Sequence, residues 1–318
     1  MNVRRRLIST AALAMVTALG TGTLSACSGD TAAANTGKFD VVASFYPMQF
    51  LAEQIGGDHA RVTTLTSPGQ EPHDLEISPR QIATLQESDA VLYLKNLQPS
   101  VDDAVAQSSV KTKIDAASLT TLEHHGDEVG GHAAEHDDHG HGGEAGEDPH
   151  IWLDPVRYAE VAEGVGKAFA KADPEHAADY EKNTAALVKR LDELNTKFKD
   201  GLADTKSKVF ITTHSAFGYL AERYGLTEEA ISGLDPESEP SGARIRDLER
   251  TAEADGVSTV FYETLVSDKT AKTLADDAGL KTDVLDPIEG ITDRSRGKDY
   301  FAVQEANLKA LRQALGAK

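Results

Sequence analysis

The chain has 318 residues, of which 40% are hydrophobic, and its 52 acidic and 32 basic side chains give a formal net charge of −20. This length suits two α/β lobes better than a single core. The acidity argues against a nucleic-acid partner, because a phosphate-binding surface needs Lys and Arg.

The N-terminus has the features of an export signal. Arg4, Arg5 and Arg6 precede an apolar run that ends at Leu24-Ser25-Ala26-Cys27. A basic start, an apolar centre and a small-residue cleavage site predict a signal peptide over residues 1–26 rather than a membrane span. Leu-Ser-Ala-Cys resembles the lipobox of bacterial lipoproteins, which implies lipidation of Cys27; the alternative is an ordinary cleaved signal with an incidental cysteine. Cys27 is the only cysteine, so neither a disulfide nor a thiolate metal site is expected in the mature chain.

Residues 27–38 are small and polar and predict a flexible tether. Strand and helix patterns then alternate through residues 39–123, the predicted N-terminal lobe. Strands are predicted at 39–45, 61–66, 90–94 and 113–116, and helices at 47–55, 80–87 and 101–106. Ser78-Pro79 supports this assignment, because a serine N-cap followed by proline is typical of a helix start.

A composition change follows at residues 124–147. Six His, five acids and four Gly occur between His124 and His141, which predicts a disordered loop because no packed element can be built from them. The histidines that are candidates for auxiliary, weak metal binding are His124, His125, His132, His136, His139 and His141. The alternative is a solvated loop that can be removed without affecting the main site.

One segment of this loop, His132 to His136, formally matches the H-x-x-E-H signature of a class of zinc proteases. That chemistry requires both histidines on one face of a buried helix and an open metal position. Because glycine and charge surround this copy, we interpret it as a coincidence of composition.

Residues 148–174 are predicted to complete the N-terminal lobe, with a helix that starts at Asp154-Pro155. A long helix is predicted within residues 175–205. Its apolar residues recur at three- and four-residue spacing; they are Ala177, Tyr180, Thr184, Leu187, Leu191, Leu194, Phe198 and Leu202. Its length, roughly 40 Å at ~1.5 Å per residue, suits a rigid link between lobes, although a plain surface helix gives the same pattern.

The C-terminal lobe, residues 206–318, alternates again. Strands are predicted at 208–213, 229–233, 257–263 and 281–285, and helices at 216–224, 243–254, 268–278 and 299–315. The predicted fold class is therefore α/β, with two (β/α) lobes that each contain a mostly parallel sheet with flanking helices and that are joined by one long helix.

Four good metal ligands lie after predicted strands or between the predicted lobes; they are His73, His150, His214 and Asp286. Ligands of open α/β sheets bind outside the carboxyl ends of the strands. Three imidazoles and one carboxylate form a closed four-coordinate set that suits zinc, whereas manganese prefers more oxygen ligands. Taken singly, each residue has a structural alternative. A lone histidine is usually a surface or hydrogen-bonded structural residue, and Asp-Pro is normally a turn or a helix cap.

Glu263 lies at the end of an apolar strand. It is a candidate to orient a metal-bound imidazole, or else a solvated strand-end residue.

Five motifs carry a family resemblance. They are Glu71-Pro72-His73-Asp74, Asp148-Pro149-His150-Ile151-Trp152-Leu153-Asp154-Pro155, Thr213-His214-Ser215-Ala216-Phe217-Gly218-Tyr219-Leu220, Glu263-Thr264-Leu265-Val266-Ser267 and Leu285-Asp286-Pro287-Ile288-Glu289-Gly290. In this order, over nearly all of residues 39–318, they resemble the metal-binding solute-binding lipoproteins of ABC importers, the zinc and manganese cluster. The resemblance implies that His73, His150 and Asp286 coordinate metal. The remaining ligand is a His in zinc members and a Glu in manganese members, and here it is His214.

The resemblance further implies an extracytoplasmic, high-affinity zinc receptor rather than an enzyme. Such a receptor is a lipid-anchored monomer on the outer face of the cytoplasmic membrane, and it delivers one Zn²⁺ from the cleft to an ABC permease. The alternatives are a manganese or iron receptor of the same family and, from other classes, a zinc-dependent hydrolase or a metal-linked adhesin. Four protein ligands without an open position argue against hydrolysis.

Overall fold

The computed structural model describes residues 37–126, 128–129 and 147–317. The predicted signal peptide, Cys27 and the tether up to residue 36 lie outside these ranges, as do His132, His136, His139 and His141. The described residues from Lys38 onward belong to one compact unit. Within the described residues, no helix combines the length and the apolar character needed to cross a bilayer.

The first lobe is built on a parallel sheet. Its strands are β1 (Phe39–Ala43), β2 (Ala60–Thr64), β3 (Ala90–Tyr93) and β4 (Thr112–Asp115), in the order β2-β1-β3-β4. Its helices are α1 (Tyr46–Gly56), α2 (Pro79–Glu87), α3 (Pro99–Gln107) and α4 (Pro155–Ala172). Helix α2 begins with a capping box, in which the Ser78 side chain accepts the backbone N–H of Gln81 and the Gln81 side chain returns to the N–H of Ser78.

The second lobe contains a five-stranded sheet. Its strands are β5 (Glu128–Val129), β6 (Val209–His214), β7 (Thr227–Ser232), β8 (Thr259–Tyr262) and β9 (Lys281–Val284), in the order β5-β7-β6-β8-β9. Strands β6 to β9 are parallel, and β5 pairs antiparallel with β7. Its helices are α6 (Gly218–Tyr224), α7 (Gly242–Asp255), α8 (Lys269–Ala278) and α9 (Tyr300–Ala314). The predicted two-lobe α/β fold is confirmed.

Helix α5 (Ala177–Leu202) is the predicted long helix, and its 26 residues span about 39 Å. The predicted apolar stripe is buried from Tyr180 to Leu202, whereas Ala177 is partly exposed. On the first-lobe side, the Asn183 side chain donates to the carbonyl oxygen of Ile55. On the second-lobe side, Phe198 stacks on Tyr224 with ring centroids 5.4 Å apart. The helix therefore packs against both lobes.

The ends of the predicted disordered loop are structured. His124 and Glu147 form an antiparallel bridge that closes the base of the loop, and Glu128–Val129 forms β5. The prediction of disorder for residues 124–147 is thus wrong at these positions. His124 pairs with Glu147, and β5 pairs with β7 about 100 residues away in the chain, so order comes from contacts that local composition does not encode.

Candidate metal centre

Three of the predicted ligands lie together between the lobes. His73 comes from the loop between β2 and α2, His150 from the segment before α4, and His214 is the last residue of β6. Glu289, in the loop after β9, completes a group whose ligand atoms lie within 4.8 Å of one another. Both lobes therefore contribute to the site.

The distances from Glu289 to the three histidines, and the distance between His150 and His214, match four edges of a tetrahedral cage. The Oε1 atom of Glu289 is 3.3 Å from Nε2 of His73, 3.5 Å from Nε2 of His150 and 3.6 Å from Nε2 of His214. The Nε2 atoms of His150 and His214 are 3.4 Å apart. A tetrahedron whose centre is about 2.0 to 2.2 Å from each ligand, the range for zinc, has edges of about 3.3 to 3.6 Å. These atoms can therefore hold a zinc-sized ion with little movement.

The fourth member of the group differs from the predicted one. Asp286 is buried, but its Oδ1 accepts the backbone N–H of Ile288 at 2.8 Å and its Oδ2 accepts the hydroxyl of Thr264 at 3.1 Å. These bonds make Asp286 a turn-forming residue, which is the ordinary role of Asp before Pro. The structure places Glu289, three residues further on, beside the histidines, and this corrects the sequence-based assignment.

The backbone at Ile288 accounts for the position of Glu289. Ile288 has φ of 60° although it is β-branched and fully buried. A β-branched residue in the left-handed region is strained and persists only when its surroundings enforce it. Glu289 directly follows this residue, so the left-handed backbone at Ile288 affects where the Glu289 side chain is placed.

Carboxylates orient two of the imidazoles. Glu263, the predicted candidate, accepts from Nδ1 of His214 at 2.6 Å and also binds the hydroxyl of Thr213. Asp148 accepts from Nδ1 of His150 at 2.7 Å and from its backbone N–H at 2.8 Å. Such bonds fix which nitrogen faces a metal, here Nε2 in both rings. The sequence-based interpretation missed Asp148, although the Asp-x-His spacing could have indicated it.

These carboxylates also determine the charge of the site. Burial favours the neutral form of His150, but Asp148 and Glu289 outweigh it and raise the pKa of His150 to about 9. For His214, burial is likewise outweighed by Glu263 and Glu289, and the pKa lies well above its ordinary value. Burial alone would raise the pKa of Glu289, yet its interactions with the three histidines hold this pKa well below its usual range. At neutral pH these shifts favour an ionised Glu289 and protonated rings of His150 and His214 in the metal-free site.

A cavity of about 410 Å³ opens beside Glu289 and is bounded on the first-lobe side by Tyr46, Thr66 and Ser67. The second carboxylate oxygen of Glu289, Oε2, is buried without a hydrogen-bond partner in the described structure. The His73 side chain is 12% exposed, whereas those of His150, His214 and Glu289 are fully buried. Of the four side chains in the group, only that of His73 is thus in contact with solvent.

The auxiliary histidines do not share one environment. His124 is exposed, but His125 is only 4% exposed and its Nδ1 lies 2.5 Å from Oδ2 of Asp148. His125 is therefore not a solvated imidazole of the predicted kind, because its Nδ1 is occupied by a buried carboxylate.

Residues 41–314 match the family model described as ZnuA, zinc-uptake complex component A, periplasmic. The chain belongs to this family. It is 32% identical over 289 residues to the high-affinity zinc uptake system protein ZnuA of Bacillus subtilis, a match that covers 87% of this chain and 88% of that protein.

A second relative is longer. The zinc-binding lipoprotein AdcA of Streptococcus pneumoniae R6 is 37% identical over 296 residues, which cover 91% of this chain but only 58% of AdcA. The crystal structure of the Zn(II)-bound ZnuA-like domain of S. pneumoniae AdcA superposes with a TM-score of 0.72 at 35% identity, covering 88% of this chain and 99% of that domain. The chain therefore corresponds to the ZnuA-like part of AdcA.

Proposed function

We propose that this chain is an extracytoplasmic zinc receptor that binds one Zn²⁺ between its lobes and delivers it to an ABC permease. The observation that carries the proposal is the cage of His73, His150, His214 and Glu289, whose measured edges suit zinc. Membership of a zinc-uptake family and the zinc-bound structure of the AdcA domain support it. Binding and release are the activity, and no bond of a substrate is broken.

Three imidazoles favour zinc over manganese. Imidazole nitrogen suits zinc, whereas manganese is more often held by oxygen ligands, and here only Glu289 supplies oxygen. With four protein ligands the site is also closed, as in zinc sites that hold the ion rather than activate water.

The proposal is tested by competitive zinc titration of the purified chain against a chelator. We expect one tight zinc equivalent that is lost in His214→Ala. A matched variant, in which His132, His136, His139 and His141 are all replaced by Ala, should keep it. Tight binding that survives His214→Ala and disappears in the four-residue variant would place the receptor site outside the cleft.

We further propose that residues 1–26 are removed on export and that lipid on Cys27 anchors a monomeric receptor to the outer face of the cytoplasmic membrane. The lipobox-like Leu24 to Cys27 segment supports this placement, as does the description of the S. pneumoniae relative as a lipoprotein. Wild-type protein should incorporate labelled fatty acid, and Cys27→Ser should abolish this incorporation. Wild-type protein that incorporates no fatty acid would exclude the lipid anchor.

A further inference from the structure

His125 occupies a fitted pocket although it lies in the His-rich stretch. Its ring packs edge-on against Tyr219 with centroids 4.7 Å apart. Gly218, the first residue of α6, makes room for it, since a Cβ atom at Gly218 would clash with Nδ1 of His125. The pocket therefore accepts the imidazole only because residue 218 lacks a side chain.

The buried partner of His125 also holds a ligand of the metal cage. Asp148 is 0% exposed; its Oδ2 accepts from Nδ1 of His125 at 2.5 Å, and its Oδ1 accepts from Nδ1 of His150 at 2.7 Å. The opposite nitrogen of His150, Nε2, faces Glu289 and His214. One carboxylate thus connects the His-rich stretch to the cage by two hydrogen bonds.

The backbone around this carboxylate is fixed as well. The N–H of Asp148 donates to the carbonyl of Glu123 at 2.8 Å, and the Tyr219 hydroxyl donates to the carbonyl of Asp148 at 2.7 Å. Ser215, which follows the ligand His214, donates to the carbonyl of Gly126 at 2.5 Å. Residues on both sides of His125 are therefore tied to residues adjacent to the cage.

Loss of the donor at His125 would leave one oxygen of a fully buried carboxylate unsatisfied. An unpaired buried charge is costly, so the carboxylate would rotate or admit water. Either change would weaken its bond to Nδ1 of His150 and free that ring to turn away from the cage.

We propose that His125 is a positioning residue of the zinc site, which acts through Asp148 to hold the ring of His150; this rests on the proposed function. The His-rich stretch then contains two kinds of histidine. One of them, His125, supports the cleft and is not an auxiliary metal ligand.

The experiment compares His125→Phe, which keeps a ring without a donor, with His125→Asn, whose amide places an N–H near the position of Nδ1. His59→Phe, which removes a hydrogen bond to Asp179 away from the cage, is the matched control. Zinc dissociation constants are measured by chelator competition, and the Nδ1 proton of His150 is followed by NMR. We expect a roughly tenfold loss of affinity in His125→Phe, typical of residues that support metal ligands. His125→Asn should stay near wild type, and His59→Phe should have the wild-type affinity.

Unchanged affinity in His125→Phe would overturn the proposal. Equal losses in the Phe and Asn variants, with the Nδ1 proton signal of His150 unaltered, would also overturn it, because the role would then be only structural. Gly218→Ala provides a second route, since it displaces the His125 ring without changing that residue, and it should weaken binding similarly. If wild type itself lacks a zinc equivalent that depends on His214, the proposed function fails instead.

Discussion

The indole Nε1–H of Trp152 donates a 2.6 Å hydrogen bond to the carbonyl oxygen of Pro287. Both residues are buried. They belong to different lobes, because Trp152 precedes α4 and Pro287 follows β9. The hydroxyl of Tyr300 in turn donates to the carbonyl of Trp152 at 2.6 Å. The lobes are thus joined by these hydrogen bonds as well as through α5, so metal binding should reorient them only slightly.

Replacing Trp152 by Phe should test this join. The variant leaves the Pro287 carbonyl without its donor in a buried place, which costs about 1–3 kcal/mol of the free energy of unfolding. It should also speed zinc release, because Pro287 lies two residues before Glu289. Urea unfolding and stopped-flow chelation measure the two effects. Tyr224→Phe, which removes a 3.1 Å bond to Asn195 on α5, is a control that should leave the release rate unchanged.

The choice between Glu289 and Asp286 can be tested by paired amide substitutions. Glu289→Gln removes the anionic ligand and should weaken zinc binding by at least about tenfold, since a neutral amide is a poorer ligand for a divalent cation. Asp286→Asn keeps an oxygen for the Ile288 N–H, so it should mainly lower stability. Isothermal titration and thermal unfolding separate these effects. A larger affinity loss in Asp286→Asn would restore the assignment made from sequence.

Zinc affinity should rise with pH over a wide range. Because the pKa of His150 is raised to about 9 and that of His214 lies well above its ordinary value, zinc must displace protons from both rings at neutral pH. Affinity should therefore keep increasing above pH ~6.5, where an unperturbed imidazole is already neutral. Chelator competition at about pH 5, 7 and 9 measures this. A plateau from about pH 7 would show that the rings are already neutral there.

The same pKa shifts predict how the metal-free protein responds to pH. Imidazoles with raised pKa values stabilise the folded state fully below their unfolded pKa of about 6.5, and this contribution disappears as pH rises through the folded value. The melting temperature of the metal-free protein should thus fall between about pH 6.5 and 9. Zinc-saturated protein should not show this fall, so the difference between the two melting curves should widen with pH.

His214→Glu should shift the metal preference. A second carboxylate makes the cage richer in oxygen, which favours manganese relative to zinc. The buried Glu263 would then face another carboxylate, so we also expect reduced stability. Elemental analysis of protein loaded from an equimolar mixture measures the preference. An unchanged zinc-to-manganese ratio would mean that ligand type at this position does not determine selectivity.

The contact between α4 and α5 leaves no room for a methyl group at Gly166. A Cβ atom there would overlap the side chain of Thr184 on α5. Gly166→Ala should therefore cost about 1–3 kcal/mol, the usual penalty for overpacking. Adding Thr184→Ala should recover part of this loss in a double-mutant cycle measured by urea unfolding. If the stability effects of the two substitutions are purely additive, the added methyl group does not strain the contact with Thr184.

The sequence was sufficient to predict the fold wherever local chemistry determines structure. Asp154 accepts the N–H of Val156 at the start of α4, as its Asp-Pro pattern predicted, and the apolar stripe of α5 gave the long helix. Strand β5 was missed because two residues carry no period of their own, and their pairing with β7 is set by tertiary structure.

The candidate site also contains some features that the sequence predicts and others that depend on tertiary structure. The three histidines follow strands or lie between lobes, so topology alone places them near one another. Whether Asp286 or Glu289 faces them depends on the left-handed turn at Ile288, and no sequence rule predicts that conformation for isoleucine. His125 was misassigned because its pocket is formed by Gly218 and Tyr219, about 90 residues away in the chain.

Strand β5 also has a consequence for association between molecules. It covers part of the outer side of β7, where Glu228 and Glu229 pair with Val129 and Glu128. An uncovered strand offers its backbone groups to strands of other chains and so promotes aggregation. A shortened His-rich stretch that spares His125 but removes Glu128–Val129 would therefore keep its zinc cage and yet self-associate as its concentration rises.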